Sequence, residues 1–351
     1  MKLLSIIIPL YNSAQWLPKC LDSVLNQDVS ENDLEIICIN DGSPDDSEQI
    51  ARRYQSEHLD SIVVLSQENQ GPSGARNNGM RHATGKYLCF VDPDDFVEPC
   101  MFGSLLKQME DERLDMLRFN YQIVDEGYRP VNKQDFELQF DYSPCVMTGA
   151  EFLANRLDIA CNIWRYMYRT EIIVKNEIWC FTGDYFDDTP WLPLVLMKAS
   201  RLGICGTVVY DYQERSDSLV KSKALKTVRR KNEGYLLLIR LLQEEMRGLK
   251  GEKVSYPNMR VLNSIELDSV VRDKIVSWYE MMIAHSSLSL LTSTALYDWQ
   301  SSKTNLRQLR KLEVFPLSEY KASANKRRKI RMFNRFPLLM MRLLKVKSGV
   351  K

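Results

Sequence analysis

Four short runs in the first hundred residues are apolar almost without interruption: "LSIIIP" (4–9), "LEIICIN" (34–40), "SIVVLS" (61–66) and "KYLCFVD" (86–92). A strand with one wet face alternates apolar and polar residues. Continuous runs this short therefore predict strands covered on both faces, as in a parallel sheet. Parallel neighbours need a crossover, and each gap has room for a helix. The first gap, "AQWLPKCLDSVLNQ", sets Trp16, Leu17, Cys20, Leu21, Val24 and Leu25 on one helical stripe. The second, "GSPDDSEQIARRY", predicts a helix with Ser43 as N-cap and Pro44 at the first helical position. Asp45 and Asp46 would then face the positive end of the helix dipole. The third, "ENQGPSGARNNGMRHATG" (68–85), reads as a helix entry punctuated by glycine. The order β-α-β-α-β-α-β predicts an α/β fold, an open, mostly parallel sheet flanked by helices.

Ligands of such sheets bind beyond the carboxyl ends of the strands. The unusual polar residues sit there: Tyr11 and Asn12 after the first strand, Asp41 after the second, Gln67 to Asn69 after the third, and "DPDD" after the fourth. Asp92, Asp94 and Asp95 put three carboxylates into four positions, where they repel one another unless positive charge lies among them. Strand-end aspartates usually form turns or caps, and Pro93 would suit a turn. This motif, however, follows a wholly apolar strand and shares an edge with the other polar ends. That favours a hard divalent cation, Mg²⁺ or Mn²⁺, held together with phosphate oxygens. Arg76 offers a fork for an anion in the same crevice. Neither G-x-G-x-x-G nor G-x-x-x-x-G-K-[ST] occurs, so dinucleotide and P-loop readings fail.

Further along, "DMLRFNYQIV" reads as a strand, and "TGAEFLANRL" opens with a Thr148/Glu151 capping box. "RLGICGTVVYDY" (201–212) reads as a strand after the helix containing "TPWLPLVLMKAS". From 225 onward glycine and proline are sparse and helical spacing dominates. The expected organisation is one domain over 1–225, with halves of about 1–115 and 116–225, followed by a helical C-terminal region over 226–351. The N-terminal apolar run ends at Pro9 and Asn12, too early for a signal peptide or a membrane span. The eight cysteines form no C-x-x-C pair, and Cys38 and Cys89 read as reduced core residues of a cytoplasmic protein.

The net charge of +1 conceals an asymmetry. Residues 326–351 hold ten Lys/Arg and no acid, which leaves 37 bases against 46 acids in the first 325. An acidic body argues against a nucleic-acid partner. In the tail, Arg331, Arg335, Arg342 and Lys345 recur at helical intervals opposite Met332, Phe333, Phe336, Leu339, Met340, Leu343 and Leu344. Pro337 should break this segment into two short helices. The apolar stripe either packs on the helical region or enters the headgroup layer of an anionic membrane, peripherally and on the cytoplasmic face.

Taken together, "SIIIPLYN", "INDGSPDDS", "NQGPSGARNNG" and "FVDPDDF", in this order and at these intervals, resemble glycosyltransferase family 2, the GT-A fold transferases that build bacterial surface polysaccharides. The resemblance is strong over about residues 3–100, weaker to about 220, and absent from the C-terminal third. It implies an inverting, metal-dependent enzyme that moves a sugar from a nucleotide-sugar, foremost a UDP-sugar, to a hydroxyl of a glycan or lipid-linked oligosaccharide. By matching positions, it implies that Pro9, Tyr11 and Asn12 border the nucleotide pocket, that Asp41 recognises the base and that Arg76 approaches the nucleotide. Asp92 and Asp94 would hold ribose and a Mg²⁺ or Mn²⁺ ion on the diphosphate. "GDYFDDTPW" matches the family's Glu-Asp pair, with Asp188 as catalytic base and Asp187, shorter than the usual Glu, in support. "YDYQERSDSLVK" would bring Tyr212, Arg215 and Ser218 to the diphosphate. Trp164 and Tyr168 could stack on a sugar, although aromatics so spaced are more often core. Two rivals remain. A sugar-phosphate nucleotidyltransferase needs a Gly-rich loop where this chain has "PLYNSAQW". A non-catalytic nucleotide-sugar-binding relative is opposed by the acids at 41, 92, 94 and 188.

Overall fold

The computed structural model describes the chain apart from residues 1, 132–142, 144, 156–160, 182–185, 187, 216–222, 255–257, 319–323 and 349–351. The described residues form two compact units. One holds residues 2–152, 161–181 and 188–215; the other holds 153–155, 186 and the helices from 223 onward.

The first unit opens with β1 (Leu4–Leu10), α1 (Leu17–Leu25), β2 (Leu34–Asn40), α2 (Ser47–Glu57), β3 (Ile62–Ser66), α3 (Gly71–His82) and β4 (Tyr87–Phe90), the alternation expected from the apolar runs. It continues through β5 (Phe96–Val97), α4 (Phe102–Asp111), β6 (Met116–Val124), β7 (Val146–Met147), the first residues of α5 (Gly149–Asn155), β8 (Tyr166–Arg169), α6 (Thr170–Lys175), α7 (Asp188–Lys198) and β9 (Leu202–Gln213). The sheet runs β3-β2-β1-β4-β8-β6-β9-β5, with β7 on β9. The first four neighbours are parallel, and β8 enters antiparallel to both β4 and β6. Every residue of β1 and β2 is buried, which is why their sequences carry no polar alternation. β3 departs from that expectation: it is an edge strand, and Val63 and Leu65 are only half-buried.

Helices cover both faces. On one, Ile6, Ile8 and Leu10 meet Leu17, Leu21 and Val24 of α1; full burial of such a side chain is worth about 1.5–3 kcal/mol. On the other, Ile37 and Ile39 meet Ala75 of α3. A Cβ at Gly79 would stand 2.5 Å from Ile7 Cγ2, so glycine is what lets α3 lie directly on β1. Cys38 and Cys89 lie in this core, and burial pushes the Cys38 thiol up to about 12. The capping box at α5 is present: Thr148 N–H and Oγ1 donate to Glu151 Oε2 at 2.9 and 2.8 Å, and Glu151 N–H donates to Thr148 Oγ1 at 3.1 Å. The start of α2 corrects the sequence reading. The helix begins at Ser47, so Ser43 is not its N-cap; residues 43–46 form a turn instead.

The second unit contains α8 (Leu225–Leu249), α9 (Met259–Asn263), α10 (Ser269–Tyr297), α11 (Ser302–Lys311), α12 (Ala324–Arg335) and α13 (Pro337–Ser348). α8 packs along α10, whose first turn is capped by Asp268 accepting from Val270 N–H at 2.8 Å. Pro337 separates α12 from α13 as expected. The tail stripe, read as one apolar face, divides in two. Of its residues Phe333 and Met340 are buried, beside Ile330 and Met341 and with α13 against α10, whereas Phe336, Leu339 and Leu343 face solvent. Among the described residues no helix is long and apolar enough to cross a membrane.

Candidate active site

Register decides which residues meet at the sheet edge. Leu10 is level with Asn40, and Asn40 with Ser66. Ile7 is level with Phe90, so Asp92 comes level with Pro9. The segments that follow β1, β2, β3 and β4 thus leave the sheet side by side.

Pro9 is buried within β1, and Tyr11, just beyond it, is 54% exposed. Asn12 has φ 52°, a left-handed conformation that asparagine adopts more readily than most residues, and its N–H donates to Ser43 Oγ at 2.7 Å. Asp45 knits this loop to the next. Its Oδ2 accepts from Ala14 N–H at 2.9 Å, and its Oδ1 accepts from the hydroxyls of Ser43 and Ser47. Burial alone would raise the Asp45 pKa, but the bonds from Ser43, Ser47 and Ala14 outweigh it and hold the carboxyl below its usual range.

Asp41 is buried at the end of β2. Its Oδ1 accepts from Gln67 Nε2 at 2.7 Å and Gln70 N–H at 2.9 Å, and its carbonyl accepts from Asn69 Nδ2 at 3.0 Å. The residues after β3 therefore fix the acid after β2. Gly42, at φ 65°, turns the chain away behind it. No donor among the described residues meets Asp41 Oδ2.

The three aspartates after β4 relieve their repulsion in three ways. Asp92 pairs with Arg76, whose side chain rises from the middle of α3 and is buried; Nη2 to Oδ1 is 2.7 Å. Asp94 pairs with Arg215 at 3.0 Å, and that guanidinium stacks 4.0 Å from the ring of Trp16. Asp95 turns inward. It is buried, accepting from Tyr210 Oη at 2.8 Å and from Gln213 N–H at 2.8 Å. Burial first, then the charges of Asp94 and Asp92, lift the Asp95 pKa well above the carboxylate range. Tyr210 Oη also accepts from Asp92 N–H at 3.0 Å, so one buried hydroxyl spans the loop.

Asp188 opens α7, and Thr189 Oγ1 donates to its Oδ1 at 3.4 Å. Trp191, one turn later on the same helical face, is fully buried and packs edge-on against Phe90 of β4 and Tyr168 of β8 at 5.8 and 5.5 Å. Its Nε1 donates to the Ile178 carbonyl at 3.0 Å, and Asn77 of α3 exchanges two 2.8 Å bonds with Cys180. These contacts dock the start of α7 against the strand that delivers Asp92. Asp187 and Ser218 lie outside the described residues. Tyr212 stacks beside Trp164 at 5.8 Å; Trp164 and Tyr168 are buried, as core aromatics rather than an open sugar platform.

Among the described residues no group of three or more His, Cys, Asp and Glu forms a metal cage. Asp92 and Asp94 supply hard carboxylate oxygens, partly exposed, beside two arginines. Mg²⁺ and Mn²⁺ are commonly held by one or two carboxylates plus substrate phosphates, so this donor set fits an ion shared with a diphosphate, not one enclosed by protein alone.

Three site residues escaped the sequence reading: Trp16, Tyr210 and Gln70. By spacing Trp16 belongs to the apolar stripe of α1, but it stands just before that helix and carries Arg215. The alternation in "VVYDY" places Tyr210 and Tyr212 on one face of β9, and this was the readable signal for Tyr210. Gln70 acts through its backbone, for which side-chain identity gives no clue.

The family model described as Glycosyl transferase family 2 matches residues 5–170, the span from β1 to the start of α6. An uncharacterized glycosyltransferase, YibD of Escherichia coli strain K12, is 30% identical over 332 residues, 85% of this chain and 93% of the relative. Among solved structures, residues 1–349 of S. aureus TarS superpose with a TM-score of 0.65 at 18% identity, over 99% of this chain and 91% of that one. The same protein in complex with UDP-GlcNAc matches at 0.60 and 17% identity, over 92% of this chain and 93% of that one. The mannosyltransferase PcManGT of Pyrobaculum calidifontis, in complex with GDP-Man and Mn²⁺, matches at 0.51 and 16% identity, over 98% and 86%. The family match covers the parallel sheet and its aspartate cluster, and a glycosyltransferase aligns with most of the remainder. The chain belongs to glycosyltransferase family 2.

Proposed function

We propose that this enzyme transfers a sugar from a UDP-sugar to a hydroxyl of a glycan or lipid-linked saccharide, with inversion at the anomeric carbon. The observation that carries the reading is the alignment of Asp41, the Arg76–Asp92 pair and the Arg215–Asp94 pair along one sheet edge. Asp41 Oδ2 suits a base N–H, and the exposed Tyr11 ring suits the face of that base. The TarS complex with UDP-GlcNAc and the mannosyltransferase complex with GDP-Man and Mn²⁺ support a nucleotide-sugar donor and a cation. Asp92 and Asp94 would hold that Mg²⁺ or Mn²⁺ ion, which when bound supplies positive charge against the departing diphosphate.

Arg76 and Arg215 add fixed positive charge at the same place and hold the two carboxylates apart until substrate arrives. Asp188 acts as general base. The acceptor oxygen forms its bond to the anomeric carbon from the face opposite the nucleotide, the bond from that carbon to the diphosphate oxygen breaks, and the acceptor proton passes to the Asp188 carboxylate. A screen of nucleotide-sugars for slow hydrolysis with Mn²⁺, in which water replaces the acceptor, tests this reading. A UDP-sugar should be consumed in preference to GDP- and CMP-sugars. Asp188→Asn should lower turnover by at least ~10²-fold while UDP binding persists. Full activity in that variant would remove Asp188 as base, and failure to hydrolyse any UDP-sugar would remove the donor assignment.

A further inference from the structure

The division of the tail stripe leaves a surface that transfer chemistry does not use. Phe336, Leu338, Leu339, Leu343 and Val346 are 40–81% exposed, although all lie within eleven residues of a helical unit that buries Met340 and Met341 beside them. At 100° per residue, Leu339, Leu343 and Val346 form one stripe along α13, continued by Phe336 just before the helix, on the side away from Met340, Met341 and Leu344. Arg342 borders this stripe, and Arg335 lies over the ring of Phe336 at 5.4 Å. On α12, Arg327 and Arg328 are exposed and, with Arg335 and Arg342, make no ion pair among the described residues. No acid occurs from 326 to 351, so nothing in the segment neutralises the face.

An apolar stripe edged by unneutralised arginines could meet a second copy, an acidic protein or a lipid surface. A two-fold contact between copies would bring the same arginines face to face, which opposes it. Contact with the acidic body of another copy would be head-to-tail, building a ring or a filament, and would leave the apolar stripe facing a charged surface. An anionic bilayer answers both parts of the face at once: headgroups pair with the arginines, and the acyl boundary takes up the leucines and Phe336. From this complementarity we infer that α12 and α13 form a peripheral anchor that lies in the interface of an anionic membrane, with Leu339 and Leu343 inserted. The anchor is independent of the nucleotide site and does not rest on the donor assignment.

The test is flotation of the full-length protein with phosphatidylglycerol-containing vesicles and with pure phosphatidylcholine vesicles, at low salt and at about 0.5 M NaCl. Each basic residue brought to an anionic leaflet strengthens partition roughly fivefold. Wild type should therefore float with the anionic vesicles, at least ~10²-fold better than with neutral ones, and be released by salt. Leu339→Glu/Leu343→Glu, at two exposed positions, should cut binding at least ~10-fold without shifting the melting temperature or UDP affinity. Arg327→Gln/Arg328→Gln/Arg335→Gln/Arg342→Gln should abolish the preference for anionic lipid. Equal flotation of wild type and the Glu variant would overturn the anchor. So would absence of wild-type flotation, or a wild-type dimer that the Glu variant turns into monomer while vesicles bind neither.

Discussion

Tyr210 ties the aspartate segment after β4 to the core. Its hydroxyl touches both ends of the aspartate segment, accepting from Asp92 N–H and donating to Asp95. Its ring stacks on Trp164 at 4.3 Å, so the hydroxyl is held from below by core packing. Tyr210→Phe keeps that packing but leaves the Asp92 N–H and a buried Asp95 carboxylate oxygen without this partner, at a cost of about 1–3 kcal/mol. The expected outcome is a lower melting temperature and a ~10-fold or greater loss of kcat/KM for the donor, borne mainly by KM, since the loop positions Asp92 and takes no part in proton transfer. Steady-state kinetics with the preferred donor check this. Unchanged kcat/KM at reduced stability would make Tyr210 a packing residue only.

Among the elements, α10 carries a pH-sensitive group. Burial first, and the Lys326 charge second, depress the pKa of His285 to about 4. In the unfolded chain this imidazole protonates near 6.5 and in the fold only near 4, so its stability contribution is complete above about pH 6.5 and drains away as pH falls toward 4. The full loss is about 3 kcal/mol at most. His285→Gln should flatten it: melting curves at pH 7 and pH 4.5 should differ less for the variant than for wild type. An identical pH response would show that His285 is not the group responsible. Elements of this kind differ in how far they can be read from sequence. β1, β2 and β4 were legible because burial on both faces removes polar alternation. The edge position of β3 was not, since its run is as apolar as theirs. The dual character of Arg76 was half-legible, because a helix and an anion fork are compatible and only the fold shows the guanidinium reaching Asp92. Asp95 and Asp92 are the same residue type three positions apart, and nothing in composition shows that one is buried and the other is not. In the tail, periodicity marks an apolar face but cannot say that Phe333 and Met340 are buried while Phe336, Leu339 and Leu343 are exposed.

For the whole molecule, charge is distributed by task. The first 325 residues carry an excess of acid, yet the sheet edge gathers Arg76 and Arg215 beside Asp92 and Asp94, where the proposed function puts a diphosphate, and the surplus of base is confined to the last 26 residues. Under the proposed function this edge binds a nucleoside diphosphate through a cation on Asp92 and Asp94. Calorimetric titration of UDP into the full-length protein, with Mn²⁺ and then with EDTA, tests it most directly when paired with Asp94→Ala. Asp94 is partly exposed, so the variant should fold. Wild type should bind UDP at least ~10-fold more tightly with Mn²⁺ than with EDTA, a difference of about 1.4 kcal/mol, and Asp94→Ala should bind equally weakly in both. The same UDP affinity in wild type and Asp94→Ala, unaffected by EDTA, would exclude a cation held by Asp92 and Asp94.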